Sequence, residues 1–369
     1  MVKVGTGTLF DKRGRFDESN CRRLAAELAQ IARSRRLVLV SSAAIAFGLA
    51  RLGLARRPGK PWDIPTKQAC AAAGQPELMD AWAKAFEPEG LPVAQVLLTA
   101  DDLASRKRFL NARRTFARLL EMNVVPIVNE NDTVAVDEIK VGDNDSLAAL
   151  VAGCVEAQLV VMLTDVAGLY DRDPREAGAK LIQDVPKVTA EVERIAGGAG
   201  SERSVGGMQT KVRAARRLAA QGIGTALLSG RQPAALAELL RGENVGTYFR
   251  PGPERLSARK GWLAAATQGK GAILVDAGAR RALVEQGRSL LPSGVKGVSG
   301  HFREGDPVDI TVEKGRAFAR GLAGYSADEV RRIAGLKTSE IERTLGYKYL
   351  DEIVHRNDMV LLDAEEISR

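Results

Sequence analysis

Short, mostly apolar runs recur along the larger, N-terminal part of the chain. They occupy residues 2–4, 37–40, 124–128, 159–163 and 225–228. Such runs are typical of strands covered on both faces, because neither side of the strand then meets water. Between them, apolar positions recur at helical spacing in residues 21–35 and 106–120. Strands that alternate with helices predict an α/β three-layer sandwich with a mostly parallel sheet.

The texture of the sequence changes near residue 250. The segment RPGPERLSARKG is rich in Pro, Gly and Arg, as linkers often are. From residue 271 onward, alternating apolar positions and glycine turns predict short β-strands and therefore a small β-rich domain. We predict a first domain at residues 1–252, a linker at 253–268, and the β-rich domain with a C-terminal tail at 269–369.

Composition limits the class of protein without naming it. The chain has 369 residues, 45% of them hydrophobic, a net charge of +8 and a pI near 9.5, which favours anionic partners such as nucleotides, phosphates or RNA. Its three cysteines lack a CxxC spacing, so a disulfide framework or a zinc knuckle is disfavoured. The N-terminus enters a strand pattern at once and no apolar run reaches membrane-spanning length. These features predict a cytoplasmic protein with no membrane segment.

The segment NENDTVAVDEIKVGDND, at residues 129–145, is unusually acidic for a stretch that follows an apolar strand. It brings Glu130, Asp132, Asp143 and Asp145 within sixteen residues. These carboxylates repel one another unless cations or hydrogen-bond donors face them, so a polar ligand or a lysine partner is expected. A solvated acidic turn is the alternative. Alternation across residues 133–142 predicts a hairpin that carries the acidic turn over the sheet.

Two glycine-containing elements could approach an anion. Lys3, in the first predicted strand, precedes Gly5 and Gly7, although a solvated strand end is the alternative. The segment SVGGMQTK, at residues 204–211, precedes a helical run, so its glycines fall where a helix N-terminus presents free N–H groups. The Walker pattern GxxxxGK[ST] is absent, which disfavours a P-loop NTPase.

A third polar element follows the predicted strand at residues 159–163. Thr164 and Asp165 come at its carboxyl end, where open α/β sheets place their ligands. A helix cap is the alternative for this pair.

Together these motifs resemble a known family. NEND, IKVGDND, LTDVAGLY, VGGMQTK and RFLNAR all occur, and over nearly its whole length the chain resembles the glutamate 5-kinases of the amino acid kinase superfamily. The spacing of GRSLLPSGV, at residues 287–295, with Gly300, Phe302, Gly305 and Asp306 after it, is similar to a PUA domain.

The resemblance implies ATP-dependent phosphorylation of the γ-carboxylate of L-glutamate, the first step of proline biosynthesis, with Mg²⁺ accompanying the nucleotide. It implies catalytic roles for Lys3, Asp145 and Lys211, with Asp145 orienting the two lysines. Contacts to the nucleotide are implied for Lys3, Thr164, Asp165, Val205, Gly206, Gly207, Met208, Gln209, Thr210 and Lys211.

For the acceptor, the resemblance assigns Ser42, Asp132 and Asn144 to glutamate. Asp132 can pair with the α-ammonium group, while Ser42 and Asn144 can hydrogen-bond the carboxylates. No protein ligand is predicted for Mg²⁺, an ion that binds mainly through phosphate oxygens and water in such sites.

The resemblance also implies feedback inhibition by proline, a homo-oligomer, and a glutamyl phosphate reductase as the consumer of the product. RNA binding through the PUA domain is an open second interpretation. Two other functions stay open: a sister kinase acting on another carboxylate or a phosphate, and an RNA-binding regulatory protein with a decayed kinase fold.

Three positions depart from the family pattern. The family usually reads SSGA or TSGA, GTS and TGGMxTK where this chain has Ala43, Gly7 and Val205. The methyl group of Ala43 could crowd a backbone approach to glutamate, and the hydroxyls missing at Gly7 and Val205 remove phosphate contacts. We expect these changes to alter affinity more than reaction type.

Overall fold

The computed structural model describes residues 1–11, 13–54, 62–135, 144–197, 207–252, 269–313 and 316–362. The predicted linker at 253–268, most of the predicted hairpin, Asp143, Val205 and Gly206 lie outside these ranges. The described residues form two compact units, one within 1–103 and 110–255 and the other within 104–109 and 256–369.

An eight-stranded sheet organises the first unit. Its strands are β1 (Val2–Val4), β2 (Leu39–Ser41), β3 (Val93–Leu98), β4 (Val125–Glu130), β5 (Leu159–Thr164), β6 (Asp184–Val185), β7 (Gly224–Ser229) and β8 (Thr247–Phe249). They follow the spatial order β3-β4-β2-β1-β5-β7-β8-β6. Adjacent strands are parallel except β7 and β8, which are antiparallel. The predicted mostly parallel sheet is confirmed.

Helices follow the strands of this unit along the chain, apart from residues 104–109, which group with the second unit. They are α1 (Thr6–Leu9), α2 (Glu18–Ala32), α3 (Ala44–Arg51), α4 (Ile64–Phe86), α5 (Ala100–Ala104), α6 (Arg106–Glu121), α7 (Asn144–Cys154), α8 (Ala190–Ala196), α9 (Met208–Ala220) and α10 (Ala235–Leu240).

Apolar clusters on both faces of the sheet produce the three layers. Successive side chains of a strand point to opposite faces of the sheet. In β5, the side chains on both faces are buried. Val161 and Leu163 pack in a cluster with buried residues of α2, α3 and α4, whereas Val160 and Met162 pack in another with residues of α7, α8 and α9. The strand is therefore buried on both sides, which explains its continuous apolar sequence.

The predicted elements match the observed ones with small shifts at their ends. Helix α2 begins at Glu18, three residues before its predicted start, because the Asp17 side chain accepts the backbone N–H of Asn20 and caps the helix. The apolar pattern of the sequence predicts no strand at β3. This strand lies at the edge of the sheet and is only partly buried, so it lacks a continuous apolar run.

The second unit contains a five-stranded sheet in the order β10-β9-β11-β12-β13. Its elements are β9 (Gly271–Val275), α11 (Ala277–Gln286), β10 (Val295–Gly300), β11 (Pro307–Thr311), β12 (Ala319–Leu322), α12 (Ala327–Ile333), α13 (Ile341–Leu345) and β13 (Met359–Leu361). Buried residues such as Ile273, Val308 and Val330 form its own apolar core. The predicted small β-rich domain is confirmed.

Helices α3 and α4 cross at unusually close range in the first unit. A Cβ atom added at Gly48 would overlap the carbonyl oxygen of Cys70, and one added at Gly74 would overlap the carbonyl oxygen of Ala44. The two backbones therefore touch through paired glycines. This contact fixes α3, which follows directly from the loop after β2.

We expect Gly48→Ala to lower the free energy of unfolding by more than about 3 kcal/mol, because the new methyl group meets rigid backbone and forces the helices apart. Urea denaturation followed by circular dichroism measures the change. Gly297→Ala is the matched control, since its Cβ would lie at an ordinary 3.8 Å from Leu274 Cδ2. Equal stability of the two variants would contradict this account of the crossing.

Candidate active site

Strand alternation directs Lys3 into the interior of the first unit. Val2 and Val4 pack into the cluster with α2 and α4, so Lys3, between them, points to the opposite face of the sheet. Only 4% of Lys3 is exposed. A buried ammonium group needs a partner, and Lys3 Nζ lies 2.6 Å from Asp145 Oδ1.

Lys211 reaches the same carboxylate from another element. It belongs to the buried stripe of α9 together with Val212, Ala215 and Leu218. Its Nζ lies 3.0 Å from Asp145 Oδ2, on the carboxylate oxygen that Lys3 leaves free. The structure therefore brings together all three predicted catalytic residues, with Asp145 fully buried between two lysines.

The described charges of this cluster are two ammonium groups and one carboxylate. Burial acts to raise the pKa of Asp145, but the adjacent charges of Lys3 and Lys211 hold that pKa below its ordinary value. Asp145 is thus ionised, and its position in the first turn of α7 favours the negative charge further. Two lysines that meet at one carboxylate place positive charge where an anion can bind between them.

The N-terminus of α9 is joined to this cluster by Thr210. The Thr210 hydroxyl oxygen lies 2.9 Å from Asp145 Oδ2 and 2.7 Å from the carbonyl oxygen of Gly207. Gly207 caps α9, and among the described residues no side-chain hydrogen bond caps that end. As predicted, a glycine precedes a helix whose first N–H groups lack intrahelical partners. Met208 and Gln209 form the first turn of the helix.

A second polar group lies at the end of β2. The Asn144 side-chain amide donates to Ser42 Oγ and to Asn129 Oδ1, at 3.0 Å each. The backbone N–H of Ser42 donates to the carbonyl of Val4, which holds Ser42 beside the end of β1. Ser42 and Asn144, predicted to bind the same ligand, are therefore in direct contact.

Asn129 has no assigned role in the sequence-based prediction, although it forms part of this group. It is a buried polar residue in β4. The available signal was its place at the end of an apolar strand, as the first residue of NEND. Its bond to Asn144 spans fifteen residues of chain, so local pattern alone did not reveal the pair.

Asp132 lies in a cavity of about 350 Å³, which is also lined by Gln75, Gln95 and Glu130. Among the described residues, no hydrogen bond joins Asp132 to Ser42 or Asn144. Burial raises the pKa of Asp132 to about 6. A cationic group in this cavity would restore the ordinary, lower pKa by stabilising the carboxylate.

The third predicted polar element lies at the end of β5. The Thr164 hydroxyl donates to Asp165 Oδ1 at 3.0 Å. No helix begins there in the continuously described stretch 144–184, so the alternative of a helix cap is wrong for this pair. Asp165 lies against the turn after β1, since a Cβ added at Gly7 would lie 3.4 Å from Asp165 Cβ. Lys3, Gly7 and Asp165 therefore lie at the same side of the sheet, where the carboxyl ends of the central strands β1 and β5 meet.

The loop after β2 contains a conformation that alanine rarely adopts. Ala43 has φ 99° and ψ 0°, in the left-handed region that favours glycine. It is buried and lies next to Ser42. Ala43, where the family pattern SSGA has glycine, therefore occupies a backbone conformation that favours glycine.

Family models match both units. The amino acid kinase family model covers residues 1–229, and the PUA domain model covers residues 271–345. The glutamate 5-kinase of Anaeromyxobacter dehalogenans (strain 2CP-C) is 75% identical over 364 residues, which make up 99% of this chain and 96% of that protein. The chain belongs to the glutamate 5-kinase family. This membership confirms the resemblance drawn from the motifs.

Other members of the glutamate 5-kinase family are more distant. The protein of Myxococcus xanthus (strain DK1622) is 53% identical over 98% of this chain and 96% of its own length. Among solved structures, carbamate kinase from Giardia lamblia bound to AMP-PNP has a TM-score of 0.49 and 18% identity over 68% of this chain and 97% of that one. Within the described residues, no helix is long and apolar enough to cross a membrane.

We expect Ala43→Gly to raise the free energy of unfolding of this glutamate 5-kinase family member by about 1 kcal/mol, because glycine adopts φ 99° without a steric penalty. Ala44→Gly, one residue later inside α3, is the matched control and should lower stability by about 0.5–1 kcal/mol. Urea denaturation measures both. Destabilisation by both variants would contradict the assignment of strain to Ala43.

We expect Asp132→Asn to stabilise the fold at pH 7 by about 1–2 kcal/mol, allowing for partial exposure of the side chain. The folded pKa, about 6, lies above the ordinary value of 3.8, so the ionised carboxylate destabilises the folded state. The gain should therefore be complete above pH 6 and disappear as the pH falls below 3.8. Thermal unfolding at pH 7 and pH 3.5 tests this, and a gain that does not depend on pH would contradict it.

Proposed function

We propose that this chain catalyses the ATP-dependent phosphorylation of the γ-carboxylate of L-glutamate to γ-glutamyl phosphate, the first step of proline biosynthesis. The observation that carries the proposal is the buried cluster of Lys3, Asp145 and Lys211. It occurs in a chain that is 75% identical to a protein named glutamate 5-kinase.

The cluster suits phosphoryl transfer. The transferred group passes through a loose transition state whose charge spreads over its equatorial oxygens, so catalysis depends on positioning and positive charge. Lys3 and Lys211 supply that charge, and Asp145 sets the distance between them by binding one ammonium on each oxygen. Their burial strengthens each interaction because little water screens it.

The acceptor requires no general base. A γ-carboxylate is already ionised at neutral pH and can attack the phosphorus atom directly. This agrees with the positions of the two histidines, His301 and His355, which belong to the second unit.

Glutamate would be held by the polar groups beside the lysine cluster. Ser42 and Asn144 offer a hydroxyl and an amide next to each other, and these can hydrogen-bond a carboxylate. Asp132 would accept the α-ammonium group, which would lower its raised pKa. Glutamate should therefore bind less well as the pH falls below about 6.

The nucleotide would lie along the edge shared by β1, β5 and the N-terminus of α9. Thr164, Asp165 and the residues from Gly207 to Lys211 border this edge. Val205 and Gly206 stay predicted contacts. Mg²⁺ would accompany the phosphates and neutralise part of their charge, and we assign it no protein ligand.

Several expectations rest on the sequence alone, most of them through the family resemblance. They are feedback inhibition by proline, a homo-oligomer, transfer of the product to a glutamyl phosphate reductase, RNA binding by the PUA domain, and a cytoplasmic location. The sister-kinase alternative differs from the proposal in its acceptor, so a choice of acceptors separates the two.

We expect purified protein with ATP, Mg²⁺ and hydroxylamine to form a hydroxamate from L-glutamate and not from aspartate or acetylglutamate. Asp145→Asn should lower the rate by at least about 10²-fold, because the lysines lose the carboxylate that positions them. Asp184→Asn, which removes an exposed partner of Arg250, is the control and should retain activity.

Near-ultraviolet circular dichroism of both variants separates loss of chemistry from loss of folding. Hydroxamate formed from another acceptor would favour a sister kinase, and absence of turnover in the folded wild-type protein would overturn the proposal.

A further inference from the structure

Arg231 links the loop after β7 to the turn after β1. Its guanidinium donates to the carbonyl oxygens of Gly7 at 3.0 Å and Phe10 at 2.7 Å, and it pairs with Asp17 Oδ2 at 3.0 Å. These three acceptors come from the segment that connects β1 to α2. The sequence motifs assigned no role to Arg231.

Further hydrogen bonds join the same two loops. The Asn20 side-chain amide donates to the carbonyl of Thr8 at 2.8 Å and to that of Gly230 at 3.2 Å. Arg23 also donates to the Gly230 carbonyl, at 2.6 Å. The backbone next to Arg231 is therefore held in place, so the Arg231 side chain can fix the position of the turn after β1.

The segment that the Arg231 guanidinium contacts borders the proposed phosphate region. Gly7 lies against Asp165, and Gly5 donates its N–H to the Leu163 carbonyl beside Thr164. Gly7 belongs to the single turn of α1, which spans only four residues, so contacts from other segments help to hold the orientation of its peptide. Of the contacts to the Gly7 carbonyl among the described residues, the bond from Arg231 is the charged one.

We propose that Arg231 is a positioning residue for the nucleotide: it fixes the Gly7 turn in the orientation that receives the ATP phosphates. The inference rests on the proposed kinase function and adds to it. Arginine suits this role because its planar fork can bond several acceptors at once, whereas a lysine ammonium cannot match that geometry. Asp17 holds the fork from the opposite side and offsets part of its charge.

Isothermal titration of the full-length protein with AMP-PNP and Mg²⁺ tests this role independently of turnover. We expect Arg231→Met to weaken AMP-PNP binding about 5–10-fold and Arg231→Lys to restore part of the loss. The KM for glutamate should change less than twofold, since among the described residues no hydrogen bond joins Arg231 to Ser42 or Asn144. Arg250→Met is the matched control, because it removes another exposed arginine that pairs with an aspartate, Asp184.

Three outcomes bear on the inference. Equal AMP-PNP affinity in Arg231→Met and Arg250→Met would overturn it. Arg231→Met could instead lower the affinities for glutamate and nucleotide together and melt at a lower temperature than the control. That outcome would also overturn the inference, because Arg231 would then only stabilise the fold. Selective loss of AMP-PNP affinity supports it, even if the wild-type protein forms no hydroxamate, a result that would count against the kinase function alone.

Discussion

The first unit depends on a buried carboxylate between two buried ammonium groups. Lys3, Asp145 and Lys211 come from β1, α7 and α9, so none of the charges is satisfied until the sheet and both helices have assembled. Removing one partner would leave an uncompensated charge in the interior, which is strongly destabilising. Among the described residues, two ammonium groups meet at one carboxylate, an arrangement that favours the binding of an anion.

Other features of the same sheet edge also cost stability. Ala43 occupies a left-handed conformation, and Asp132 keeps a carboxyl group where burial raises its pKa to about 6. Proteins concentrate such local conflicts at functional sites and offset them elsewhere. Here the offset includes apolar cores on both faces of the sheet and the close contact of α3 with α4. A rigid frame thus holds a site that would not be stable by itself.

The sequence predicted what depends on local pattern. Buried strands such as β5 are apolar throughout, and the motifs around Asp145 and Lys211 are specific enough to indicate the family and its reaction. Hydrogen bonds between residues far apart in the sequence could not be predicted in this way. The bond between Asn144 and Ser42 spans 102 residues, and the one between Arg231 and Gly7 spans 224. Neither follows from spacing, because a hydrogen bond between loops leaves no periodic signal in the sequence.

Thr210 connects the N-terminus of α9 to the charged cluster. Its hydroxyl has one proton and lies within hydrogen-bond distance of two acceptors, Asp145 Oδ2 and the Gly207 carbonyl. If the hydroxyl donates to Asp145, it stabilises that carboxylate and the Gly207 carbonyl loses a donor. If it donates to the Gly207 carbonyl, Asp145 loses that stabilisation. An anion bound between Lys3 and Lys211 would draw the lysines from Asp145 and so favour the first arrangement. The cap of α9 is thereby coupled to the charge that the lysines carry.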